Sequence, residues 1–389
     1  MREFLHRAGW GEASVTPLPG DASTRRYARL RHGERNAMLM DQPQGAEAPV
    51  APADATEETR RVLGYNALAR LAGADCARFV AASQWLRGHG LAAPEIHAID
   101  AANGFVILED LGDALFAEVL ADGGDEEALY EAAVEVLAKI HAHEAPLYLP
   151  PPSSAFARFA SLPSHAEATS PSSAAREGEA DLRFPLYAYD HAAQIAETDL
   201  LTEWFLPLAL GRAAGDDELA AHRTLWRAAL AQTGEVRRVF VHRDYHAQNL
   251  LWLPDRDGVA RVGLIDFQDA VADSAAYDLI SLTEDARRDV SPKIAEAATT
   301  HYLAMMRAQG TPVDEPAFRR EMAIMAAQRN AKIVGIFARL YKRDGKPRYL
   351  DLLPRVWGHL ERDLQHPALA ELRAWYDRVI PHGKRAVRP

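Results

Sequence analysis

A chain of 389 residues, 48% hydrophobic and 25% charged, is long enough to bury two substantial cores. Its net charge of −11 excludes a nucleic-acid surface as the main partner, since phosphate-backbone binding draws on clustered Lys and Arg, and its single cysteine, Cys76, excludes an intrachain disulfide framework or a Cys-rich zinc site. The N-terminal MREFLHRAGWGEASV lacks a signal-peptide pattern and no run of ~18 apolar residues occurs, so a cytoplasmic protein that does not span a membrane is expected.

From Val15 to Asp41, short apolar alternation broken at PLPGDAST and RHGERN predicts three antiparallel strands. QPQGAEAPVAPADATEE reads as a loop leading into helix, FVAASQWLRGHG as a helix closed by glycine, and GFVILEDLGD as a strand ending in acids. The segment EEALYEAAVEVLAKIHAHE places Leu129, Ala133, Val136, Leu137 and Ile140 on one helix face. Residues 149–185, rich in Pro, Ser and Ala, predict a long loop insert. From Ala276 to about Ile380 the pattern is again helical. The outline is α+β and bilobal: a small antiparallel-sheet N-lobe over residues 1–111 and a larger, mainly helical C-lobe over 112–389.

Within the C-lobe, residues 241–270, VHRDYHAQNLLWLPDRDGVARVGLIDFQDA, read as a hairpin turning at PDRDG. Antiparallel pairing brings Asn249, at the start of one strand, to the same edge as Asp266, at the end of the other, with Asp244 just before that edge. A carboxylate beside an amide oxygen suits a hard cation such as Mg²⁺, which takes oxygen ligands and keeps water or phosphate oxygens in its other positions. The remaining carboxylate, Asp244, is then free to accept a proton from an attacking hydroxyl. Such a set serves phosphoryl transfer, in which the protein contributes positioning and charge. Taken singly, each of the three is also an ordinary loop cap or turn acid.

The spacing H-x-D-x-x-x-x-N, here His242 to Asn249, followed by Asp266-Phe267, resembles the kinase-like superfamily. No activation segment separates LIDFQDAVADSAAYDLISL from its helix, so the resemblance is to the small-molecule branch, the aminoglycoside phosphotransferase and choline kinase family. Gly20-Asp21-Ala22-Ser23, Arg25-Arg26-Tyr27, LMDQP, LEDLGD, FPLYAYDHAAQIAETDLLTEWFLPLALG and QRNAKIVGIFARLYKRDGKPRYLDLLPRVWGHL resemble the bacterial anomeric N-acetylmuramate/N-acetylglucosamine kinases. That resemblance implies a protein-kinase-like fold, ATP and Mg²⁺, and an amino sugar phosphorylated on its anomeric hydroxyl in cell-wall recycling. It further implies Asp244 as catalytic base, Asn249 and Asp266 as metal ligands, and Asp278 as support for the catalytic loop. No obligate protein partner is evident.

In such a fold Gly20, Asp21, Ala22, Ser23 and Thr24 form the turn over the nucleotide phosphates, and backbone groups at Glu109, Asp110 and Leu111 meet adenine. The next strand should carry a phosphate-binding lysine, yet NAMLMDQP has none and the first lysine of the chain is Lys139. Arg25 or Arg26 is the candidate replacement, because a guanidinium binds phosphate bidentately and stays charged. Glu57 or Glu58 could hold it. On the substrate side Tyr189, Asp190, Glu197, Asp199 and Trp204 lie in a stretch too polar and aromatic for plain core. Arg329, Asn330 and Lys332 are candidates for the sugar or its lactyl carboxylate, a solvated helix face being the alternative. His242 reads as loop support and His246 as a loop residue. Two other functions stay open: a kinase for aminoglycosides or other small alcohols, and a nucleotide-binding regulatory protein without catalysis, suggested by the missing lysine.

Overall fold

The computed structural model describes residues 1–20, 24–45, 49–151, 184–235 and 237–387. The chain opens with helix α1 (Arg2–Arg7) and strands β1 (Ser14–Pro17), β2 (Arg26–His32) and β3 (Arg35–Asp41). Helices α2 (Glu57–Leu63), α3 (Tyr65–Leu68) and α4 (Cys76–Gly88) precede β4 (Ile96–Asp100) and β5 (Phe105–Leu108). All five strands join one antiparallel sheet in the order β1-β2-β3-β5-β4, the first three being those that alternation predicts.

Period-two alternation divides the buried side chains of this sheet between two cores. Leu39 and Ile107 pack with Phe4, Leu5 and Trp10 around α1, whereas Met40, Val106 and Leu108 belong to the main core with α4. The carboxylate of Asp75 caps α4 by accepting from the Ala77 N–H at 2.9 Å. This helix is buried almost all round, as befits an element with packing on every side. Phe79 stacks on Phe267 at 4.8 Å and Trp85 on Phe240 at 4.7 Å. Aromatic stacking thus fixes α4, and through it the sheet, to the strands that flank Asp244 and Asp266.

After β5 come α5 (Phe116–Ala121) and α6 (Glu126–His141), whose predicted face, Leu129, Ala133, Val136, Leu137 and Ile140, is fully buried. Most of the expected insert, residues 152–183, lies outside the described residues. At its edges β6 (Tyr148–Leu149) and β7 (Phe184–Pro185) pair antiparallel, so the two ends of the segment are held side by side. Helix α7 (His191–Leu200) runs through a π turn at Leu201–Phe205 into α8 (Leu206–Leu210), and α9 (Asp216–Leu230) follows.

Strand β8 (Arg238–Val241) pairs with β11 (Val271–Ser274), and β9 (Leu250–Trp252) with β10 (Val262–Leu264), both antiparallel. The β8–β11 pair is a second ribbon beyond the single expected hairpin. Then come α10 (Ala276–Thr283), α11 (Pro292–Ala308), the 28-residue α12 (Glu315–Lys342), α13 (Leu353–Asp363) and α14 (Ala370–Val379). The helical reading from Ala276 onward is interrupted by loops, among them the irregular residues 284–291. Ser291 caps α11, with Pro292 in its first turn, so the helix begins where the Ser-Pro pair dictates. Among the described residues no helix is long and apolar enough to cross a membrane.

Strand β11 and helix α12 bury two acids against each other, Asp273 and Glu321. Burial is the leading cause in both, and each carboxyl is pushed up to about 7. Gln194 Nε2 donates to Asp273 Oδ2 at 2.9 Å, while Glu321 Oε1 has no hydrogen-bond partner. A carboxyl raised in the fold stays protonated where the unfolded chain is already ionised. Its contribution is therefore full below the usual carboxylate range and declines as pH rises to about 7. Asp273→Asn should show a shallower fall in melting temperature between about pH 5 and about pH 8 than the wild type. Parallel melting curves for the two proteins would refute this assignment.

Candidate active site

The two antiparallel pairs converge at one end. Val271 lies opposite Val241 and Leu250 opposite Leu264, and the Ile265 N–H donates to the Asn249 carbonyl at 3.2 Å. Asn249 and Asp266 therefore leave the β9–β10 ribbon at the same edge, directly after the turn that carries Asp244. Two turn residues take the left-handed conformation without being glycine, Arg243 at φ +75° and Asp266 at φ +65°. Such strain persists only where surrounding contacts impose it.

At Arg243 those contacts are specific. The buried carboxylate of Asp278, on α10, accepts the backbone N–H of His242 at 2.6 Å and that of Arg243 at 2.9 Å. Asp278 thus braces the turn from below, in the supporting position expected from sequence, and its bland reading as a helix-surface carboxylate fails on burial. The Arg243 guanidinium donates to the Ala69 carbonyl at 3.2 Å and ion-pairs with Glu197. His242 is fully buried, in edge-on contact with Tyr245 and Phe267, consistent with a supporting role.

Asn249 Nδ2 donates to the Asp244 carbonyl at 2.9 Å. That bond fixes the amide and leaves Oδ1, the oxygen a hard cation needs, as its available atom. Asp266 Oδ1 accepts from Arg25 Nη2 at 2.9 Å and from Gln268 at 3.2 Å. Among the described residues no group of three Asp, Glu, His or Cys gathers as a metal cage. One carboxylate and one amide oxygen nevertheless fit Mg²⁺, which is commonly held by one or two protein ligands with phosphate and water completing the shell.

Asp244 is an ionised group in a cationic surround. Burial acts to raise its carboxyl, but Lys332 first, then His246, Arg329 and Arg243, outweigh it and hold the carboxyl well below the usual range. Lys332 is itself raised: burial works against its charge, and Glu197 and Tyr277 more than compensate. His246, two residues on, is brought down to about 4, chiefly by burial, and is neutral at physiological pH.

The expected cofactor residues divide. Of the phosphate turn, Asp21, Ala22 and Ser23 lie outside the described residues; Gly20 and Thr24 flank them, and Thr24 Oγ1 accepts from Gln42 at 3.3 Å. Arg25 reaches across to Asp266, whereas Arg26 pairs with Asp41 at 2.8 Å on the surface. Glu57 binds Arg61, and Glu58 is exposed. Glu109 is held by Arg256 at 2.6 Å, and Asp110 by Arg29 at 2.6 Å. Their side chains brace the linker, and the Glu109 N–H is engaged in the sheet, donating to the Glu95 carbonyl at 2.7 Å.

On the substrate side the structure corrects several expectations. Glu197 is 1% exposed, and both its oxygens are engaged: Oε1 by Arg243, Oε2 by Tyr189 and by Lys332 at 3.5 Å. It holds two cations in place and has no carboxylate free for a sugar. Asp190 caps α7 and pairs with Arg60 at 2.8 Å, keeping partial exposure. Asp199 binds Arg223 at 2.8 Å. Trp204 sits half-buried in the π turn against the main core. Arg329 is 2% exposed and spent on Ser281 Oγ at 3.0 Å and the Glu284 carbonyl at 3.1 Å. Asn330 donates to Glu284 and Asp363, and Lys332 to Tyr277 at 2.9 Å. The solvated-face alternative for these three is therefore excluded as well. Sequence reasoning passed over Arg287, which lies on the 284–291 loop and contacts His246; the Ser-Pro pair ahead of α11 was the signal for that loop.

Residues 14–316 match the model of a family described as the phosphotransferase enzyme family. An N-acetylmuramate/N-acetylglucosamine kinase from Caulobacter vibrioides is 42% identical over 97% of this chain and 95% of its own length. A protein of the same description from Pseudomonas aeruginosa is 31% identical over 96% of this chain and 91% of its own. An ADP-bound aminoglycoside phosphotransferase structure shares the fold, with a TM-score of 0.50 at 14% identity, over 95% of this chain and 98% of that one. The bilobal α+β architecture expected from sequence is thus that of known small-molecule kinases.

Proposed function

Since the chain belongs to the phosphotransferase enzyme family, we propose that it is a kinase transferring the γ-phosphoryl group of ATP to the anomeric hydroxyl of N-acetylmuramate or N-acetylglucosamine. The observation that carries the chemistry is the bond from Asn249 Nδ2 to the Asp244 backbone carbonyl, which ties the amide to the turn that carries the base. Asp244 accepts a hydrogen bond from the acceptor hydroxyl, aims its oxygen along the line of attack, and takes the proton as the bond to the γ-phosphorus forms and the bond from that phosphorus to the β,γ-bridging oxygen breaks, releasing ADP. Asn249 Oδ1 and Asp266 would hold Mg²⁺, which when bound neutralises charge developing on the phosphates. Arg25 adds a guanidinium beside Asp266 and takes the part of the missing lysine. From sequence, the turn flanked by Gly20 and Thr24 is assigned to the phosphates, and backbone along Glu109–Leu111 to adenine. The identity of the acceptor is supported by the relative that is 42% identical across nearly its whole length.

The test is a panel assay with ATP and Mg²⁺ against both amino sugars, choline and aminoglycosides, the product being read by phosphorus NMR. Phosphate on C1 of an amino sugar is expected, with turnover lost when the metal is chelated. Turnover of choline or an aminoglycoside in preference to both sugars would refute the assignment, and binding of ATP without any turnover would favour the regulatory alternative.

A further inference from the structure

An acidic amino sugar differs from its neutral counterpart by one carboxylate, and a site that tells them apart needs a cation with donors to spare. The three residues of α12 first considered for this are committed elsewhere, to Ser281, Glu284, Asp363, Tyr277 and Glu197. The neighbouring arginines are committed as well: Arg288 pairs with Glu126 at 2.8 Å and Arg355 with Asp289 at 2.6 Å. Arg287 differs from all of these. Among the described residues its guanidinium pairs with no carboxylate, and its side-chain contact is Nη1 donating to His246 Nε2 at 3.2 Å. Asp285, on the same loop, is buried and accepts Arg287's own backbone N–H at 2.8 Å.

Position makes this cation relevant to the reaction. The His246 N–H donates to the Asp244 carbonyl at 3.1 Å and the His246 carbonyl accepts from the Asn249 N–H at 2.8 Å, so His246 is built into the catalytic turn. Its ring is 5% exposed, and Nδ1 is buried without a partner. A half-buried guanidinium held by one of its nitrogens on an imidazole that is built into the catalytic turn keeps its other donors for a ligand. Its fork matches a carboxylate bidentately, where an ammonium would act as a point charge.

We propose that Arg287, steered by His246, binds the carboxylate of an acidic sugar acceptor and sets the preference of this enzyme for N-acetylmuramate over N-acetylglucosamine; the proposal rests on the sugar-kinase reading for its substrates. Arg287→Gln should lower kcat/KM for N-acetylmuramate by about 10- to 100-fold more than for N-acetylglucosamine, mainly through KM, as expected for a lost charge-assisted pair. Arg287→Lys, which keeps the charge, should recover part of that ratio. An unchanged ratio in Arg287→Gln would overturn the proposal, as would equal losses on both sugars. Titration calorimetry of each sugar into ATP-free wild type and Arg287→Gln separates this inference from the assignment of function. If N-acetylmuramate binds the wild type more tightly than the variant while neither sugar is phosphorylated, the Arg287 site stands and the kinase assignment falls. Equal binding of N-acetylmuramate to both proteins sinks the Arg287 site whatever the turnover.

Discussion

Asp244→Asn is expected to lower kcat for sugar phosphorylation by roughly 10²- to 10⁴-fold, the usual contribution of a positioned base, while leaving KM for ATP within about threefold. Asn keeps the shape of the side chain and loses the acceptor capacity for the hydroxyl proton. In the proposed site the nucleotide, by contrast, is assigned to the side of Arg25 and Asp266. The cationic surround adds a second expectation. Burial acts to raise the Asp244 carboxyl, but Lys332, Arg329 and Arg243 hold it well below the usual range, so the base stays ionised through the neutral range. Any acid limb in the kcat profile of the wild type then lies below the pH at which an ordinary carboxylate would titrate. Such a weak base suits a transition state in which the proton moves late, after the acceptor oxygen has begun to bond to phosphorus. An Asp244→Asn enzyme with near wild-type kcat would remove the mechanism outright.

Asn249 and Asp266 could be read from sequence because one ribbon sets both, and Asp244 because it sits on the turn that leads directly into that ribbon. Once the turn near PDRDG is placed, strand pairing dictates that residues equally far from it meet. The N-terminal strands were legible for the same reason, as was the burial of α6 along its predicted face. The choice between Arg25 and Arg26 was not. Neighbours on extended chain point to opposite sides, and only the fold shows that Arg25 reaches Asp266 while Arg26 pairs with Asp41 on β3. Charged helix residues misled for a different reason. Glu197, Arg329 and Lys332 carry the composition of a solvated or ligand-binding face, and their partners lie 46, 48 and 55 residues away. No local period records such a distance. The same holds for Arg287, which among the described residues pairs with no carboxylate, a circumstance set by the whole fold and not by its neighbours in sequence.

The stability of the site depends on the same long-range charges, and Glu197 is where it can be tested most severely. Glu197 is the counterion of Arg243 and sits 3.5 Å from Lys332. Burial works against the charge of both cations, and both stay raised because Glu197 opposes it. Glu197→Gln keeps the volume and leaves two buried cations facing each other without their carboxylate. Removing one partner of a buried pair typically costs about 3–5 kcal/mol, far more than loss of a surface ion pair. Urea unfolding should show a destabilisation of that order. Lys332→Met should cost less, because the Glu197–Arg243 pair survives it. In the double variant only Arg243 is uncompensated, so its loss should fall short of the sum of the two single losses. Strict additivity, or a Glu197→Gln protein within about 1 kcal/mol of the wild type, would mean that Glu197 is not the anchor. Arg243 carries the strained backbone immediately before Asp244. A destabilised Glu197→Gln enzyme should therefore also lose kcat while still folded, joining the energetics of a buried carboxylate to the aim of the catalytic one.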